Sequence, residues 1–541
     1  MNRPNILMII FVGINWFESL ITTYMKKFFK YLGLVFLLLL ICLIVWISHN
    51  LKDQHPDYNV DLKILNNAPA QLSAGFSAMP ITPTVPDRWD DKNKNAEYEP
   101  KKGETFTDGN GNGKFDPVWI AGFGENRAAN GIHDDLWARA MVIDDGKTRL
   151  AIVVLDAIGF MNNDVIDVRN RVSKESGITY AIISSTHTHE GPDLLGLWGP
   201  NPITSGINPA HMEYVKNQTA KAIDNAAKSI RPVRLSISQD LTGAANLVID
   251  TRKPEVFDSG LRMLQFLDKE NGKTLGTLIS WGDHPETLWS DNLLLTSDFP
   301  HFVREGIEKG VFKKDSLMRP GVGGVAIYAS ACVGGLMTTH PRLTIKDPFT
   351  GEEFKAPTFE KAAAQGKQLA NLALTAMAKP EEVIDSAAIS LIAKTVPLPL
   401  NNPMFKLAAM LGVMKRGTTG WMKMKSELSV IKIGPISMVT IPGELYPEIL
   451  NGGIESPEGQ DYKIAPVEVP AIRDLMPGKY KFMFGLANDE IGYIVPKSQW
   501  DEKAPFTYGR DSGPYGEVNS LGPETAPTIH RNIKAMLEEL K

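Results

Sequence analysis

The sequence has few cysteines and no concentration of one charge. Among 541 residues it contains two cysteines, Cys42 and Cys332, and Cys42 lies inside an apolar segment, so the pair is not expected to meet. Such a count excludes a disulfide framework. The formal net charge is −5 and no block of lysine and arginine occurs, so the sequence predicts no nucleic-acid partner. No internal repeat is present either.

The residues that are present suffice for a large folded unit. Hydrophobic residues make up 43% and charged residues 22% of the chain, which is typical of globular proteins with an extensive core. We therefore predict one large α/β unit. Buried-strand patterns lie at 150–156 and 181–184, helical patterns at 211–230, 358–378 and 529–540, and a hairpin pattern at 429–441 around Gly434-Pro435.

One long hydrophobic run lies near the N-terminus. Residues 31–48 are almost wholly apolar, and Lys26, Lys27 and Lys30 precede them. The run is long enough for a spanning helix, and the lysines predict a cytoplasmic N-terminus with the main domain outside. A cleaved signal peptide, with translation from Met25, is the alternative. No small-residue cleavage site follows the run, which favours an uncleaved anchor.

These patterns divide the chain into four segments. We expect a cytoplasmic segment at 1–30, an anchor or signal peptide at 31–48, a polar linker at 49–70, and a folded domain at 71–541. The protein is then a single-pass membrane protein with a periplasmic or extracellular domain. No oligomeric state is predicted.

The most informative motif follows the apolar run at 180–183. The segment from Ser184 to Asp193 contains His187 and His189, and its Gly-Pro pair ends the strand. Because residues two apart in a strand point to the same side, both imidazoles are expected to face one site. Two imidazoles at a strand end suit a zinc or hydrolytic site. Two unrelated polar residues leaving a sheet would give the same pattern.

Three further residues are candidate metal ligands: His284, Glu444 and Tyr493. Apolar strand patterns at 278–281 and 439–441 end just before His284 and Glu444. Zinc accepts nitrogen and carboxylate oxygen, and hydrolytic zinc sites leave one position for water. Each residue also has a structural explanation, respectively as a capped core histidine, a helix-initiating acid and a half-buried strand aromatic.

A glycine-rich loop near residue 110 has the pattern of a calcium site. Oxygen-bearing side chains recur at loop positions 1, 3, 5 and 9, from Asp108, Asn110, Asn112 and Asp116, with glycine at position 6. The twelfth position is Trp119 and not the usual glutamate. A glycine-asparagine turn without metal explains the same residues, so both interpretations stay open.

A methionine-rich segment lies between Pro403 and Trp421 and is too short to span a bilayer. Its apolar residues are interspersed with Lys406, Lys415 and Arg416. Three interpretations stay open: a basic amphipathic helix on lipid, a flexible lid over an apolar substrate, or an ordinary core-facing helix. The apolar residues are Met404, Phe405, Leu407, Ala408, Met410, Leu411, Val413 and Met414.

Seven motifs in a fixed order resemble the neutral (non-lysosomal) ceramidases. Together they cover about residues 70–530, nearly all of the chain after the apolar run. The resemblance implies an α/β fold with a single large mixed-sheet catalytic domain, here without the family's C-terminal immunoglobulin-like domain. The motifs are Ala74-Gly75-Phe76 with Ile81-Thr82-Pro83, Gly131 to Asp134, Trp137 to Ala140, Thr186 to Pro192, Trp281 to Pro285, Pro442 to Glu444, and Asn488 to Tyr493.

The resemblance also implies roles for individual residues. The family's zinc ligands fall on His187, His284, Glu444 and Tyr493. The second histidine of the motif, His189, matches a residue that contacts substrate and assists proton transfer. The family's substrate-binding arginine falls on Arg252, and a second active-site tyrosine falls near Tyr515.

One segment departs from the family pattern. Where the family carries a serine in an Asn-x-Gly-Asp-x-Ser-Pro-Asn segment, this chain has Met337, and Gly335 replaces the aspartate. Methionine neither attacks a carbonyl nor donates a strong hydrogen bond, which puts a serine-dependent mechanism in question. A zinc-bound water needs no serine. Nearby hydroxyl groups belong to Ser330, Thr338 and Thr339.

The expected function is a zinc-dependent amidohydrolase acting on ceramide or a related N-acyl lipid. Ca²⁺ is a possible second, structural ion. A zinc hydrolase of another amide or ester on the same scaffold is one alternative, favoured by the altered serine segment. A non-catalytic surface protein that keeps its metal for stability is the other.

Overall fold

Two β-sheets pack face to face, and helices cover both outer sides. The computed structural model describes residues 6–414 and 416–540, with the backbone alone for 6–15, 17–21 and 336. Lys415, a residue of the methionine-rich segment, lies outside the described residues. The strands of the two sheets are β1 (Asp61–Ile64), β2 (Ser73–Pro80), β3 (Trp137–Asp144), β4 (Arg149–Leu155), β5 (Tyr180–Ser185), β6 (Arg231–Asp240), β7 (Leu261–Asp268), β8 (Thr274–Trp281), β9 (Val325–Ser330), β10 (Glu382–Ile384), β11 (Ile389–Pro399), β12 (Lys423–Ile433), β13 (Ile436–Thr440) and β14 (Tyr480–Phe484).

The larger sheet has nine strands in the order β9-β8-β7-β6-β2-β3-β4-β5, with β10 paired to β6. Neighbours are antiparallel except in the pairs β4/β5 and β8/β9, which are parallel. The smaller sheet has the order β1-β11-β12-β13-β14, and its parallel pair is β13/β14. These sheets confirm the predicted α/β class. Both of them contain parallel as well as antiparallel pairs.

The helices explain why the strands are apolar on both faces. In β4, Ile152 and Val154 face the second sheet, whereas Ala151 and Val153 lie beneath α2 and α3. Helices α4 and α5 cover β7 and β9, and α10 covers β11 and β12. Strands buried on both sides carry continuous apolar runs because both side-chain directions leave water. The helices are α1 (Ile6–Asn50), α2 (Asn162–Arg171), α3 (Pro209–Lys228), α4 (Phe299–Glu308), α5 (Phe359–Met377), α6 (Pro403–Leu411), α7 (Pro447–Asn451), α8 (Ile472–Leu475), α9 (Tyr515–Val518) and α10 (Thr525–Leu540).

The N-terminal apolar run forms part of α1. Within it, Thr22–Asn50 is the one helix among the described residues that is long and apolar enough to cross a membrane. Its mean hydropathy is 2.8 and none of its most apolar window is buried against the rest of the chain. The helix therefore extends beyond residues 31–48 on both sides.

The polar stretch at 49–70 is not wholly a linker. Residues 61–64 form β1, which pairs antiparallel with β11 at the edge of the smaller sheet. Backbone hydrogen bonding to an existing sheet edge outweighs the polar composition of this stretch. The free chain between α1 and the folded domain is accordingly short.

Candidate metal and active site

Four loops at one end of the sandwich bring the candidate ligands together. His187 follows β5 and His284 follows β8, both in the larger sheet. Glu444 follows β13, and the loop after β14 leads to Tyr493, both from the smaller sheet. Because these strands belong to parallel pairs, their carboxyl ends lie where ligand sites form in α/β sheets.

Backbone hydrogen bonds between the two sheets hold these loops. The Asn488 N–H donates to the Ile183 carbonyl at 2.6 Å, and the Ile183 N–H donates to the Asn488 side-chain oxygen at 3.0 Å. Glu444-Leu445 and Tyr493-Ile494 form a short parallel ribbon. Asn488 has a positive φ of 64°, a conformation that asparagine tolerates better than most residues. Asn488 therefore ties the end of β5 to the loop that carries Tyr493.

The candidate ligand atoms have the spacing of a zinc site. Glu444 Oε2 lies 3.0 Å from His284 Nε2 and 3.6 Å from His187 Nε2. Tyr493 Oη lies 3.4 Å from His284 Nε2. Ligands about 2.0 to 2.2 Å from a tetrahedral zinc are separated from one another by roughly 3.3 Å. The chemistry and spacing of this donor set therefore fit zinc.

Backbone carbonyls orient both imidazoles. His187 Nδ1 lies 2.6 Å from the Ile158 carbonyl, and His284 Nδ1 lies 2.6 Å from the Met337 carbonyl. An imidazole that donates from Nδ1 presents Nε2 as the free electron pair, and metal-binding histidines are commonly fixed in this way. His187 also has a φ of 69°, an uncommon left-handed conformation for a residue other than glycine and one found often at functional sites.

His189 lies beside the ligand set and is partnered differently. Its Nε2 is 3.4 Å from His187 Nε2, and its Nδ1 is 3.3 Å from Glu286 Oε2. His187, His189 and His284 form a cluster able to hold a metal ion, with ligand atoms within 4.8 Å of one another. Two donor sets are thus available, the three histidines or His187 and His284 with Glu444. We favour the set with Glu444, because its carboxylate is the nearer partner of His284 Nε2.

Burial and neighbouring charges determine the protonation of these groups. Burial lowers the pKa of His189 well below its usual value, and His187 and His284 lower it further, so His189 is neutral near pH 7. Burial lowers the pKa of His284 too, but hydrogen bonding to Glu444 and the Glu286 charge raise it more, to about 9. A neutral His189 is able to accept a proton.

Two cavities meet at the ligand set. The first is mostly apolar and reaches His187 and Glu444; the second is bordered by His284 and Glu286. Both are lined by Gly122, His189, Tyr493 and Tyr515. The apolar wall of the first cavity comprises Ile158, Met161, Leu195, Leu197, Trp198, Phe405, Met414, Met424, Ile491 and Leu521.

Of the other predicted site residues, the structure brings Tyr515 to the cavities and leaves Arg252 outside them. The Tyr515 ring centroid is 5.8 Å from that of Tyr493. Arg252 is buried, with Nη2 2.9 Å from Glu517 and its guanidinium 4.5 Å from the Tyr446 ring centroid. Among the described residues, those lining the two cavities do not include Arg252. Since Glu517 and Tyr515 share α9, Arg252 instead supports the helix that carries Tyr515.

The hydroxyl groups near Met337 are all engaged. Ser330 donates to the Thr186 carbonyl at 2.7 Å, and Thr339 donates to the Asp283 carboxylate at 2.7 Å. Thr338 donates to Glu286. Of the three, Thr338 lines the second cavity at the ligand set, and Met337 itself is fully buried.

The glycine-rich loop satisfies its oxygens internally. The Asp108 carboxylate accepts hydrogen bonds from the N–H groups of Gly111, Asn112 and Gly113. The Asn110 and Asn112 side-chain amides donate to the Asp116 carboxylate. No residue of this loop lines either cavity at the ligand set. The assignment of Ca²⁺ to Asp108, Asn110, Asn112 and Asp116 stays a prediction.

Sequence reasoning missed Glu286 and Glu490. Glu286 stands two residues after His284 and approaches His189, and Glu490 lines the apolar cavity beside the ligand set. Burial raises the pKa of both carboxyl groups. A signal for Glu286 was available, because it directly extends the motif that carries His284.

Comparison with known proteins gives a family resemblance. The family described as "Neutral/alkaline non-lysosomal ceramidase, N-terminal" matches residues 111–341, which contain His187, His189 and His284. The chain resembles the neutral ceramidases. This match confirms the resemblance drawn from the motifs and supports a hydrolase.

Two solved structures share the fold at low sequence identity. "Crystal Structure Analysis of neutral ceramidase from Pseudomonas aeruginosa" aligns with a TM-score of 0.60 and 16% identity, over 87% of this chain and 75% of that one. "Ceramidase complexed with C2" aligns with a TM-score of 0.59 and 14% identity, again over 87% and 75%. At these identities the comparison establishes the ceramidase-like fold.

Proposed function

We propose that this chain is a zinc-dependent hydrolase that cleaves the amide of ceramide or a related N-acyl lipid. The observation that carries the proposal is the convergence of His187 Nε2, His284 Nε2 and Glu444 Oε2, with separations of 3.0 and 3.6 Å to the carboxylate. This convergence lies where an apolar cavity meets a second cavity. Tyr493 is the fourth proposed ligand.

His187, His284, Glu444 and Tyr493 would hold the zinc, which would supply Lewis acidity and the activation of a water molecule. The chain's own residues handle the protons. Neutral His189 accepts the proton of the attacking water and later donates it to the leaving nitrogen. Glu286, whose Oε2 lies 3.3 Å from His189 Nδ1, is close enough to stabilise the imidazole once it is protonated. Tyr515, which lines both cavities, is placed to contact the scissile group.

The two cavities suit the two parts of an N-acyl lipid. The first is lined mainly by aliphatic, methionine and aromatic side chains and suits an acyl chain. The second combines aromatic walls, from Phe123 and Trp289, with polar groups of Thr338, His340 and Glu286, and we assign the polar head to it. Arg252 contributes to binding only through α9.

Met337 favours one alternative, a zinc hydrolase of another amide or ester. Met337 occupies the position of the family serine and offers no hydroxyl. The site therefore need not hold its substrate as a ceramide amide would be held, which allows another amide or an ester. The non-catalytic alternative explains less, because a metal kept for stability needs neither a neutral His189 nor a carboxylate beside it.

Zinc content and activity before and after chelation test the proposal. The full-length protein in detergent is expected to hold one zinc per chain and to hydrolyse a ceramide or short-chain N-acyl amide. Chelation should abolish this activity and added zinc should restore it. A fully zinc-loaded protein that cleaves no amide or ester in a broad panel would leave the non-catalytic alternative. Cleavage of esters alone would favour the other hydrolase.

We also propose that α1 anchors the chain as a single-pass membrane protein with the folded domain, which includes β1, outside the cytoplasm. The apolar helix Thr22–Asn50 supports the anchor, and the lysines at its N-terminal side support the orientation. A C-terminal tag should be degraded by protease added to intact cells or spheroplasts. Recovery of a soluble mature form beginning near residue 50 would contradict the anchor.

A further inference from the structure

Helix α6 packs against the end of the candidate membrane span. The Asn50 side-chain amide, in the last turn of α1, donates to the Met410 carbonyl at 2.8 Å. The Thr418 N–H donates to the Leu51 carbonyl at 2.9 Å. These contacts hold the methionine-rich segment beside the point where α1 leaves the bilayer.

The two faces of α6 have different surroundings. Phe405 lines the apolar cavity and Ala409 is fully buried. Met404 and Leu407, three residues apart and therefore on one face, are 65% and 45% exposed. Helix α6 therefore combines two of the interpretations that the sequence left open: a helix that faces the core and a helix that lies on lipid.

A tryptophan and two lysines lie on or beside the segment that pairs with the end of α1. Trp421 is 85% exposed and lies three residues after Thr418, which pairs with Lys52. Tryptophan side chains concentrate at the headgroup level of membranes. Lys52 and Lys423 are exposed nearby and complement anionic headgroups.

The apolar cavity reaches toward the same place. Met414 lines the apolar cavity and also the cleft at the end of α1, whose other lining residues are His49, Asn50, Lys52, Asp53, Gln54, Pro56 and Gly412. The cavity extends from Met414 and Phe405 to His187 and Tyr493. Met414 thus borders both the cleft at the end of the membrane span and the cavity that leads to the ligand set.

We propose that Met404, Leu407 and Trp421 form a membrane-docking surface that binds the lipid bilayer beside the end of α1. Docking there sets the apolar cavity against the membrane, so that an acyl chain passes Met414 without crossing water. The inference rests on the proposed function, whose lipid substrate and anchor it connects. The occupant is the bilayer itself, because the segments that carry this surface are hydrogen-bonded to the end of α1 and to Leu51 through Met410 and Thr418.

Photo-cross-linking tests the contact without any activity measurement. The full-length protein is reconstituted in nanodiscs of phosphatidylcholine and phosphatidylglycerol, with p-benzoylphenylalanine at position 407 or 421. Position 45 within α1 is the positive control, and position 317, on the distant hairpin Gly310–Lys313/Ser316–Pro320, is the negative control. Lipid adducts are expected at 407, 421 and 45, and not at 317.

The outcomes separate the inference from the proposals on which it rests. Adducts at 45 without adducts at 407 and 421 overturn the docking surface and leave the anchor intact. An absence of adducts at 45 as well overturns both, because the bilayer then does not lie where the inference places it. Neither outcome depends on hydrolysis.

Activity gives a second measurement with a matched control. The variant Met404→Ser/Leu407→Ser/Trp421→Ser should lose roughly tenfold in hydrolysis of a long-chain ceramide in the bilayer. It should keep its rate on a short-chain N-acyl amide in solution. The control Leu317→Ser/Met318→Ser, whose side chains are 51% and 45% exposed, should change neither rate. Equal losses on both substrates, or in both variants, would contradict a docking role.

Discussion

His284 donates both its backbone N–H and its Nδ1–H to the same acceptor, the carbonyl of Met337, at 3.0 and 2.6 Å. Met337 thereby contributes its backbone to the site, whereas its side chain packs into the core beneath α4 and α5. A side chain that only packs is replaceable without disturbing the orientation of the imidazole. The methionine therefore leaves the metal-binding geometry intact although it removes the family's hydroxyl.

Replacing Met337 should separate metal binding from stability. Met337→Ala retains the carbonyl and is expected to keep one zinc per chain, while the buried void costs about 2 to 5 kcal/mol of unfolding free energy. Metal analysis and thermal unfolding measure the two effects. Met318→Ala, on an exposed hairpin, is the control. Loss of zinc from a folded Met337→Ala protein would contradict this division of roles.

The three histidines should differ when each is replaced by alanine. His187→Ala and His284→Ala are expected to lose zinc, because each removes one of the two proposed imidazole ligands and leaves a single histidine with Glu444 and Tyr493. His189→Ala should keep zinc and lose roughly a hundredfold or more in rate. His211→Ala, in a separate surface cleft, is the control. Zinc loss in His189→Ala would favour the three-histidine donor set.

Glu286→Gln should lower the rate without releasing zinc. The amide keeps the size of the side chain but removes the charge that stabilises protonated His189, so a loss of roughly tenfold is expected. The control Glu270→Gln changes an exposed carboxylate. Steady-state kinetics and metal analysis together check the role, and an unchanged rate in the zinc-loaded variant would remove Glu286 from the mechanism.

Arg252 should act through stability. Arg252→Ala leaves the Glu517 carboxylate buried without its partner, which costs about 3 to 5 kcal/mol. Glu517→Gln should lower the melting temperature in parallel, since it breaks the same pair. If Arg252→Lys retained the melting temperature but raised KM severalfold, direct contact with substrate would be indicated instead.

Asp258 should make stability depend on acid pH. Burial raises the pKa of its carboxyl, but Arg473 at 2.7 Å and Arg262 at 3.5 Å lower it more, so the net pKa lies below the ordinary value. The ion pairs of Asp258 with the two arginines then stabilise the fold above about pH 4, the pKa of this carboxyl in the unfolded chain. Their contribution is lost as the pH falls through the pKa of the same carboxyl in the folded protein. Melting temperatures of wild type and Asp258→Asn at several pH values test this.

The expected difference is largest near neutral pH and shrinks as the pH falls below 4. Asp258→Asn should be less stable by about 3 kcal/mol or more at pH 7, since both arginines lose their buried counter-charge. Asp315→Asn, in the exposed hairpin turn, is the control. A gap between wild type and Asp258→Asn that stays constant down to the lowest pH would refute the lowered pKa.

Much of the fold and site was predictable from local pattern. Apolar runs locate β4 and β5, helical spacing locates α3 and α5, and Gly434-Pro435 marks the β12/β13 turn. The positions of His187 and His284 after strands followed from the same patterns. Their approach to Glu444 could be expected only from the family resemblance, because no local pattern encodes a contact across more than 150 residues.

Other features depend on packing that the sequence pattern does not contain. The division into two sheets depends on which strands share an edge, and the Ile183–Asn488 contact joins segments about 300 residues apart. The contact of Arg252 with the substrate stays a prediction, and no sequence pattern indicated its buried partner Glu517 on α9. Residues 61–64 looked polar enough for a linker, but an available sheet edge recruits them.

The division of the proposed ligands between the sheets has a consequence for assembly. The larger sheet supplies His187 and His284, and the smaller sheet supplies Glu444 and Tyr493, so neither sheet alone offers more than two donors. Only a molecule whose two sheets are stacked correctly then binds the ion with high affinity, and the bound ion links one sheet to the other. In a purified sample, zinc stoichiometry would therefore count the fraction of molecules whose two halves have assembled correctly.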